Sequence, residues 1–411
     1  MNLTSLHIQH FQSLYDVELM LKPLTIFIGP NASGKSNLFK ALRFIYNAVA
    51  GDRLDWQAYD GQLNELRWYG LNELGNRPET LEFSFDFRPF SNKITQGTYS
   101  TTLRCGDFLQ VDQEEVKVVL GGSDQELKRF FERTDESVRH YVGRRGRMLQ
   151  SPKYSQVRSS RTLHLRDEGL GITNPIVKEI YEHIAGWRIV DIDLSKARQG
   201  TFVPEYPEEV PSLAGDASNL SAFLYSLYRT RPNDLEAIND AIAEFIELPQ
   251  SLLVEHDAER GGQTARYQFI EKPFGESHLI PPTNMSDGTI RLLTLLALLL
   301  GDRTVTLACL EEPDHGLHPR LMYYLADVLR QTIVEVESEE INEHPLQFII
   351  TTHSPEFMDC FDLEVEKDYL QVYIVQRDET GKTLFTPANA QEFAPWLQRF
   401  RLGEAVRRRL V

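Results

Sequence analysis

Gly29-Pro30-Asn31-Ala32-Ser33-Gly34-Lys35-Ser36 follows an apolar run, Leu24 to Ile28, and opens onto Asn37-Leu38-Phe39-Lys40-Ala41-Leu42. The spacing is GxxxxGK[ST], set between a strand and a helix, which is the context that a phosphate-binding loop needs. Glycines at both ends let the backbone curl so that several N–H groups point inward, and the helix adds its positive end. Lys35 is placed to neutralise β- and γ-phosphate oxygens and Ser36 to hold Mg²⁺. A chance glycine turn before a helix is the competing reading, and a full match in this context stands against it. The loop implies a nucleoside triphosphate site.

Working outward, 411 residues suggest two or three packed units, and 41% hydrophobic residues supply a large core. The longest strongly apolar stretch, Leu292 to Leu300, is about half of the roughly 20 residues that a bilayer crossing requires. The N-terminus lacks a basic, apolar leader, so the expected location is cytoplasmic, with no membrane partner. Cys105, Cys309 and Cys360 are odd in number and far apart, which fits reduced thiols rather than disulfides or a zinc knuckle. A net charge of −17 argues against a general polyanion binder.

Before the loop, Leu3 to Gln9 and Tyr15 to Leu21 alternate around Phe11-Gln12-Ser13 and read as a hairpin. After it, Asn37 to Val49 carries helical spacing broken by Gly51. Leu81 to Phe87, Tyr99 to Cys105 and Phe108 to Leu120 read as antiparallel strands. Ser123 and Asp124 then cap a predicted helix reaching about Arg133, followed by a polar stretch of little periodicity. Between Arg139 and Arg166 lie eight basic side chains and no Asp or Glu, with Tyr141 and Tyr154 interleaved. Arg144, Arg145, Arg147 and Arg158 within it are candidate contacts to a nucleic-acid backbone; the alternatives are a solvated loop or a surface docking an acidic partner.

Asn174 to Ala185 reads as a helix and Trp187 to Leu194 as a strand. The stretch Gly200 to Gly215, with three prolines, reads as a connector. Asn219 to Tyr228 and Pro232 to about Glu247 are predicted helices, and Ser251 to His256 with Ala265 to Glu271 a hairpin. Met285-Ser286-Asp287-Gly288-Thr289-Ile290-Arg291 introduces a leucine-rich helix. Downstream, an apolar strand from Val305 ends in Glu311-Glu312-Pro313-Asp314-His315-Gly316-Leu317-His318-Pro319. Buried strands with carboxylates at their carboxyl ends are how parallel sheets place magnesium chemistry at the ligand edge. Leu346 to Ile350 forms another buried strand, ending in Thr351-Thr352-His353-Ser354-Pro355. Asp368 to Gln376 and Thr383 to Phe385 are expected to finish the sheet before a terminal helix.

These pieces, in this order, resemble the ABC-type ATPases of the RecF, SMC and OLD class, and within it the stand-alone OLD-like AAA-family branch. Gly215-Asp216-Ala217-Ser218-Asn219-Leu220, Trp396-Leu397 and Leu402-Gly403-Glu404 resemble that branch too. The likeness covers nearly the whole chain and is weakest between about Val119 and Ile172. It implies an α/β fold, an ABC-type ATPase head with a parallel P-loop sheet, an antiparallel β-subdomain and an inserted helical lobe. The matching division is 1–120 for the P-loop and antiparallel part, 121–250 for the partly basic, helical insert, and 251–411 for the remaining motifs. The resemblance further implies ATP and Mg²⁺ held in a sandwich of two copies, so a homodimer. Gly29 to Asn37 would cradle phosphates, with Ser36 and Glu311 on the magnesium side. Ser286, Asp287 and Gly288 would reach the γ-phosphate from the opposite copy, and His315 and Gly316 would sit in the turn crossing the interface. Glu312 would polarise the attacking water, His353 would sense the γ-phosphate, and Lys35 would stabilise the transferring group.

Two departures stand out. Glu311 occupies the usual aspartate position of the magnesium strand, and the linking-loop glutamine is unassigned, with Gln57 and Gln62 as candidates. No heptad arms separate Lys35 from Ser286, which excludes a rod, and 58 residues after His353 are too few for the nuclease domain of a full OLD protein. The expected function is therefore an ATPase acting on DNA or a DNA-bound complex in genome maintenance or phage defence, with a separately encoded nuclease or effector. A protein-regulating ATPase docking an acidic partner is the alternative. The nucleotide-binding subunit of a transporter is a third, opposed by the Ser-Asp-Gly-Thr stretch, the Glu-Glu pair and the helical insert.

Overall fold

The computed structural model describes residues 1–51, 63–71, 75–88, 94–120, 126–134, 137–142, 148–156, 163, 165–166, 175–245, 250–257, 264–271, 277–334 and 346–388. Strands β1 (Asn2–Phe11) and β2 (Leu14–Met20) form the expected hairpin, and β3 (Leu24–Ile28) leads through the glycine loop into helix α1 (Lys35–Val49). A short helix α2 (Leu63–Leu66) precedes β4 (Thr80–Arg88), β5 (Ile94–Cys105) and β6 (Leu109–Leu120). In β4 the buried residues Leu81, Phe83, Phe85 and Phe87 alternate with more exposed ones, the mark of a sheet packed on one face.

The next segment departs from the sequence reading. Instead of a helix to Arg133, Glu126–Arg133 is strand β7, paired antiparallel with β6 so that Val116 faces Phe131 and Glu114 faces Arg133. The capping signal is local, whereas the open edge of β6 supplies a whole ladder of partners. Burial of Glu114 further favours the register that brings it Arg133. The basic stretch likewise contains regular structure, β8 (Ser137–Val142) and β9 (Met148–Gln156). The resulting eight-stranded sheet runs β2-β1-β4-β5-β6-β7-β8-β9.

Helix α3 (Pro175–Ala185) leads into β10 (Trp187–Val190). This strand stops short of Leu194 because Asp193 turns the chain: its carboxylate accepts from the N–H groups of Ser195 and Lys196, capping α4 (Leu194–Ala197). After β11 (Thr201–Phe202) come helices α5 (Leu220–Thr230) and α6 (Pro232–Phe245) and the strands β12 (Gln250–Asp257), β13 (Thr264–Glu271) and β14 (His278–Ile280). Helix α7 (Asp287–Leu296), β15 (Leu307–Glu311), α8 (Pro319–Val334), β16 (Gln347–Thr352), α9 (Pro355–Met358), β17 (Leu370–Arg377) and β18 (Thr383–Pro387) complete the described chain.

The six-stranded sheet β10-β15-β16-β3-β17-β18 is parallel except for β18. It divides two cores. Leu24, Ile26 and Ile28 of β3, with Ala308, Leu310, Phe348 and Ile350, face the core shared with α5, α6 and α7. Phe27, Leu307, Cys309 and Ile349 face the other, shared with α1, α3 and the antiparallel sheet. Burial on both faces explains why these strands read as continuous apolar runs. It also leaves their carboxyl ends as the place where polar side chains emerge together. No described helix is long and apolar enough to cross a membrane. Gln57, Gln62, Arg144, Arg145, Arg147, Arg158 and the terminal motifs from Trp396 onward lie outside the described residues.

Candidate active site

The loop after β3 is shaped by two positive φ angles, 63° at Ala32 and 108° at Gly34. A Cβ at Gly34 would lie 1.9 Å from Thr383 Oγ1, and one at Gly29 would lie 2.2 Å from the Val375 carbonyl oxygen. Both glycines are therefore demanded by close approach, and Gly34 by conformation as well. Beneath the loop, Asn37 Nδ2 donates to Ser13 Oγ at 2.6 Å, and Ser13 Oγ lies 2.6 Å from Thr383 Oγ1, which also donates to the Ser33 carbonyl at 3.2 Å. Ser13 and Thr383 thus buttress the loop from two other strands' ends. Lys35 Nζ donates to the loop's own carbonyls, Gly29 at 2.6 Å and Pro30 at 2.9 Å. Burial lowers the Lys35 pKa, opposed by the nearby carboxylates of Glu312, Glu311 and Asp314. Those carboxylates favour the ammonium form needed to meet phosphate.

The carboxyl ends of β15 and β16 bring the acidic pair and the histidine to this loop. Ser36 Oγ donates to Glu311 Oε1. Glu312 has φ 46°, an uncommon conformation for a residue with a side chain. It is held there by its N–H to the Thr351 carbonyl at 2.9 Å and by His315 N–H to its own carbonyl at 3.0 Å. Such backbone strain costs of order 1–3 kcal/mol and concentrates at functional sites. The turned side chain meets His353, with Nδ1 2.9 Å from Oε1. Asp314, two residues on, is buried, and desolvation raises its pKa while a hydrogen bond from Thr352 opposes the rise.

Asn31 to Asn37, Asp191, Arg291, Glu311, Glu312, His315 and Arg377 line a cleft of about 490 Å³. Asp191 stands at the end of β10, where its N–H donates to the Gly215 carbonyl at 2.9 Å. A Cβ at Gly215 would lie 2.2 Å from the Ile189 carbonyl oxygen, so the Gly215-Asp216 stretch seats directly on that strand. Ser286 caps α7, its Oγ accepting from Thr289 N–H at 3.1 Å. Arg198 clasps the same loop, donating to the Met285 carbonyl at 3.1 Å and to Asp287 at 2.6 Å. Gly288 abuts the Gly316 turn, where a Cβ would lie 3.0 Å from the Gly316 oxygen. Ser286, Asp287 and Gly288 do not line the cleft of their own chain, although Arg291 one turn later does.

The sequence reading missed Ser13, Thr383, Asp191, Arg291 and Arg377. Arg291 stood inside a quoted motif, while the others are ordinary residues at strand ends that only the sheet order gathers. Among the described residues, no three His, Cys, Asp or Glu side chains form a metal cage. The Ser36 hydroxyl against Glu311 nevertheless fits Mg²⁺, a hard cation bound through one or two protein oxygens with phosphates and waters completing its shell.

Residues 24–359 match the family model described as "AAA domain, putative AbiEii toxin, Type IV TA system". The chain belongs to this family. It is an ATPase of the AAA kind. Among solved structures it is similar to an SMC head bound to the C-terminal winged-helix domain of ScpA, at 15% identity and TM-score 0.52, covering 95% of this chain and 99% of that one. It is also similar to an SMC head with an extended coiled coil bound to the C-terminal domain of ScpA derived from Pyrococcus furiosus. That likeness has 12% identity and TM-score 0.51, over 97% of this chain and 98% of the other. At these identities the likeness concerns the fold alone. No curated protein matches the chain.

Proposed function

We propose that this AAA ATPase hydrolyses ATP between two copies of itself and uses the resulting closure to act on DNA or a DNA-bound complex, with a separately encoded nuclease or effector. The observation that carries the sandwich is that Ser286, Asp287 and Gly288 are ordered around a helix N-terminus yet lie outside the cleft of their own chain. A γ-phosphate held by one copy can meet such an N-terminus only from a second copy.

Within the cleft, Gly29 to Asn37 wrap the phosphates and Lys35 exchanges the carbonyls of Gly29 and Pro30 for β/γ oxygens. Ser36 and Glu311 would hold Mg²⁺, which supplies charge neutralisation at the same oxygens when bound. Glu312 orients a water and accepts its proton, and His353 fixes the Glu312 carboxylate while facing the γ-phosphate. Phosphoryl transfer of this kind depends mainly on positioning and electrostatic stabilisation. The DNA part is supported by the outer strands. Arg139, Lys153 and Tyr154 are exposed there, and the Arg139 guanidinium lies 5.8 Å from the centre of the Tyr154 ring. The ScpA-bound SMC heads make a protein partner a further part of this proposal.

Light scattering on the Glu312→Gln protein tests the sandwich. Its mass should double on adding ATP, and Ser286→Arg in the same background should abolish the doubling. An ATP-independent mass that Ser286→Arg leaves unchanged overturns the arrangement. Duplex DNA should bind the ATP-loaded dimer at about 0.1 M salt, where exposed charges are screened beyond about 10 Å; absence of binding there favours the acidic-partner alternative.

A further inference from the structure

We infer that the exposed ring of Tyr69 is the platform on which the base of the bound nucleotide stacks. This rests on the ATP reading above and adds the side chain that reads the base. In a phosphate loop the lysine takes the β/γ end while backbone N–H groups cradle the α- and β-phosphates. The ribose and base therefore leave the loop on the Asn37 side. Asn37 is bonded to Ser13, at 2.6 Å, which places that side against the turn between β1 and β2.

The same turn carries the Leu66 to Tyr69 segment. Gln12 N–H donates to the Leu66 carbonyl at 2.7 Å, and Trp68 N–H donates to the His10 carbonyl at 2.7 Å. Tyr69 follows directly, and its hydroxyl is fixed twice. It accepts from Arg377 Nη2 at 2.5 Å and donates to the Gly381 carbonyl at 3.3 Å. Arg377 itself lines the phosphate cleft. The residue is 48% exposed, while buried Trp68 stacks on its ring with centroids 4.7 Å apart and planes inclined by 27°. A rigid aromatic, supported from behind, pinned at its hydroxyl and joined by one arginine to the phosphate cleft, offers a flat apolar surface at the distal end of the nucleotide. Stacking needs only a π-face on the base and is indifferent to its hydrogen-bonding edge. The platform should therefore favour large purine rings over pyrimidines without strongly separating adenine from guanine.

The experiment measures dissociation constants by calorimetry with Mg²⁺ for ATP, GTP, UTP, ribose triphosphate lacking a base, and inorganic tripolyphosphate. With the wild-type chain, ATP and GTP should bind similarly, UTP more weakly, and the base-free ligands weakest. Loss of a stacked base should cost roughly 5- to 150-fold. Tyr69→Ala should bring ATP to the affinity of ribose triphosphate while leaving tripolyphosphate unchanged, and Tyr69→Phe should retain most of the base contribution. Equal wild-type affinity for ATP and ribose triphosphate overturns the platform and leaves the ATPase reading standing. The same holds if Tyr69→Ala binds ATP as the wild type does, which is expected if Tyr69 merely anchors the turn at Gly381. A wild-type chain that binds none of the five ligands overturns both readings. The wild-type ligand series needs no variant to fold.

Discussion

Buried polar groups sit in both halves of the molecule, but they are treated differently. In the antiparallel sheet, Glu114 and Arg133 have side-chain exposures of 0% and 2% and lie 3.6 Å apart. Glu114 also accepts from Tyr99 Oη at 3.1 Å and from Leu165 N–H at 2.8 Å. Around the nucleotide cleft, Ser33 Oγ, Asp314 Oδ1 and Thr351 Oγ1 are buried without a hydrogen-bond partner among the described residues. Lys35 is occupied with its own loop's carbonyls. A buried ion pair reinforced by further hydrogen bonds specifies a packing arrangement, whereas unmatched buried polar atoms beside a cleft are usually strained or waiting for a ligand. The first region holds β6 to β7; the second is arranged for a group that arrives.

That contrast is breakable. Glu312→Gln should leave thermal stability near the wild type and lower ATP turnover by roughly 10²- to 10⁴-fold, the range for a lost general base. Steady-state phosphate release checks this, and near-normal turnover would remove Glu312 from its role. Arg133→Met should do the reverse. Stripping the partner from a buried carboxylate should destabilise the fold by about 3–5 kcal/mol in denaturant unfolding. Turnover per folded molecule should stay unchanged, and a selective loss of turnover instead would join the two regions functionally.

The smallest effect concerns Asp314, whose carboxyl is pushed up by burial, against the hydrogen bond from Thr352. A carboxyl with a raised folded value contributes its stabilisation fully below the unfolded value and loses it as pH rises through the folded one. Asp314→Asn removes that titration. The variant's melting temperature relative to wild type should therefore rise as pH increases above the ordinary carboxylate value of about 4. A difference that instead grows toward acid would contradict a desolvated carboxyl at this position.

How much was legible follows the same division. The loop, the acidic pair and the histidine could be read because each sits at the end of a buried parallel strand, whose unbroken apolar run is distinctive. Glu126 to Arg133 could not be, since a cap-like Ser123-Asp124 and a mixed polar pattern fit a helix as well as an outer strand. There the choice was made by the unpaired edge of β6, a partner distant in sequence. Asp191 was hidden for another reason. It belongs to the cleft only because β10 pairs with β15 and ends beside Glu311.

By itself, then, the sequence determined where the phosphate loop lies, because glycine, lysine and hydroxyl spacing within one loop is a local property of the backbone. It also determined that a parallel sheet carries that loop, because burial on both faces is written into composition. Only the tertiary structure decided which distant residues surround it. Ser13 and Thr383 support the loop, Asp191 and Arg377 line the cleft, and Ser286 to Gly288 lie outside it. Strand order and register set those neighbours, and they arise from pairing across hundreds of residues, for which no short stretch of chain carries the information.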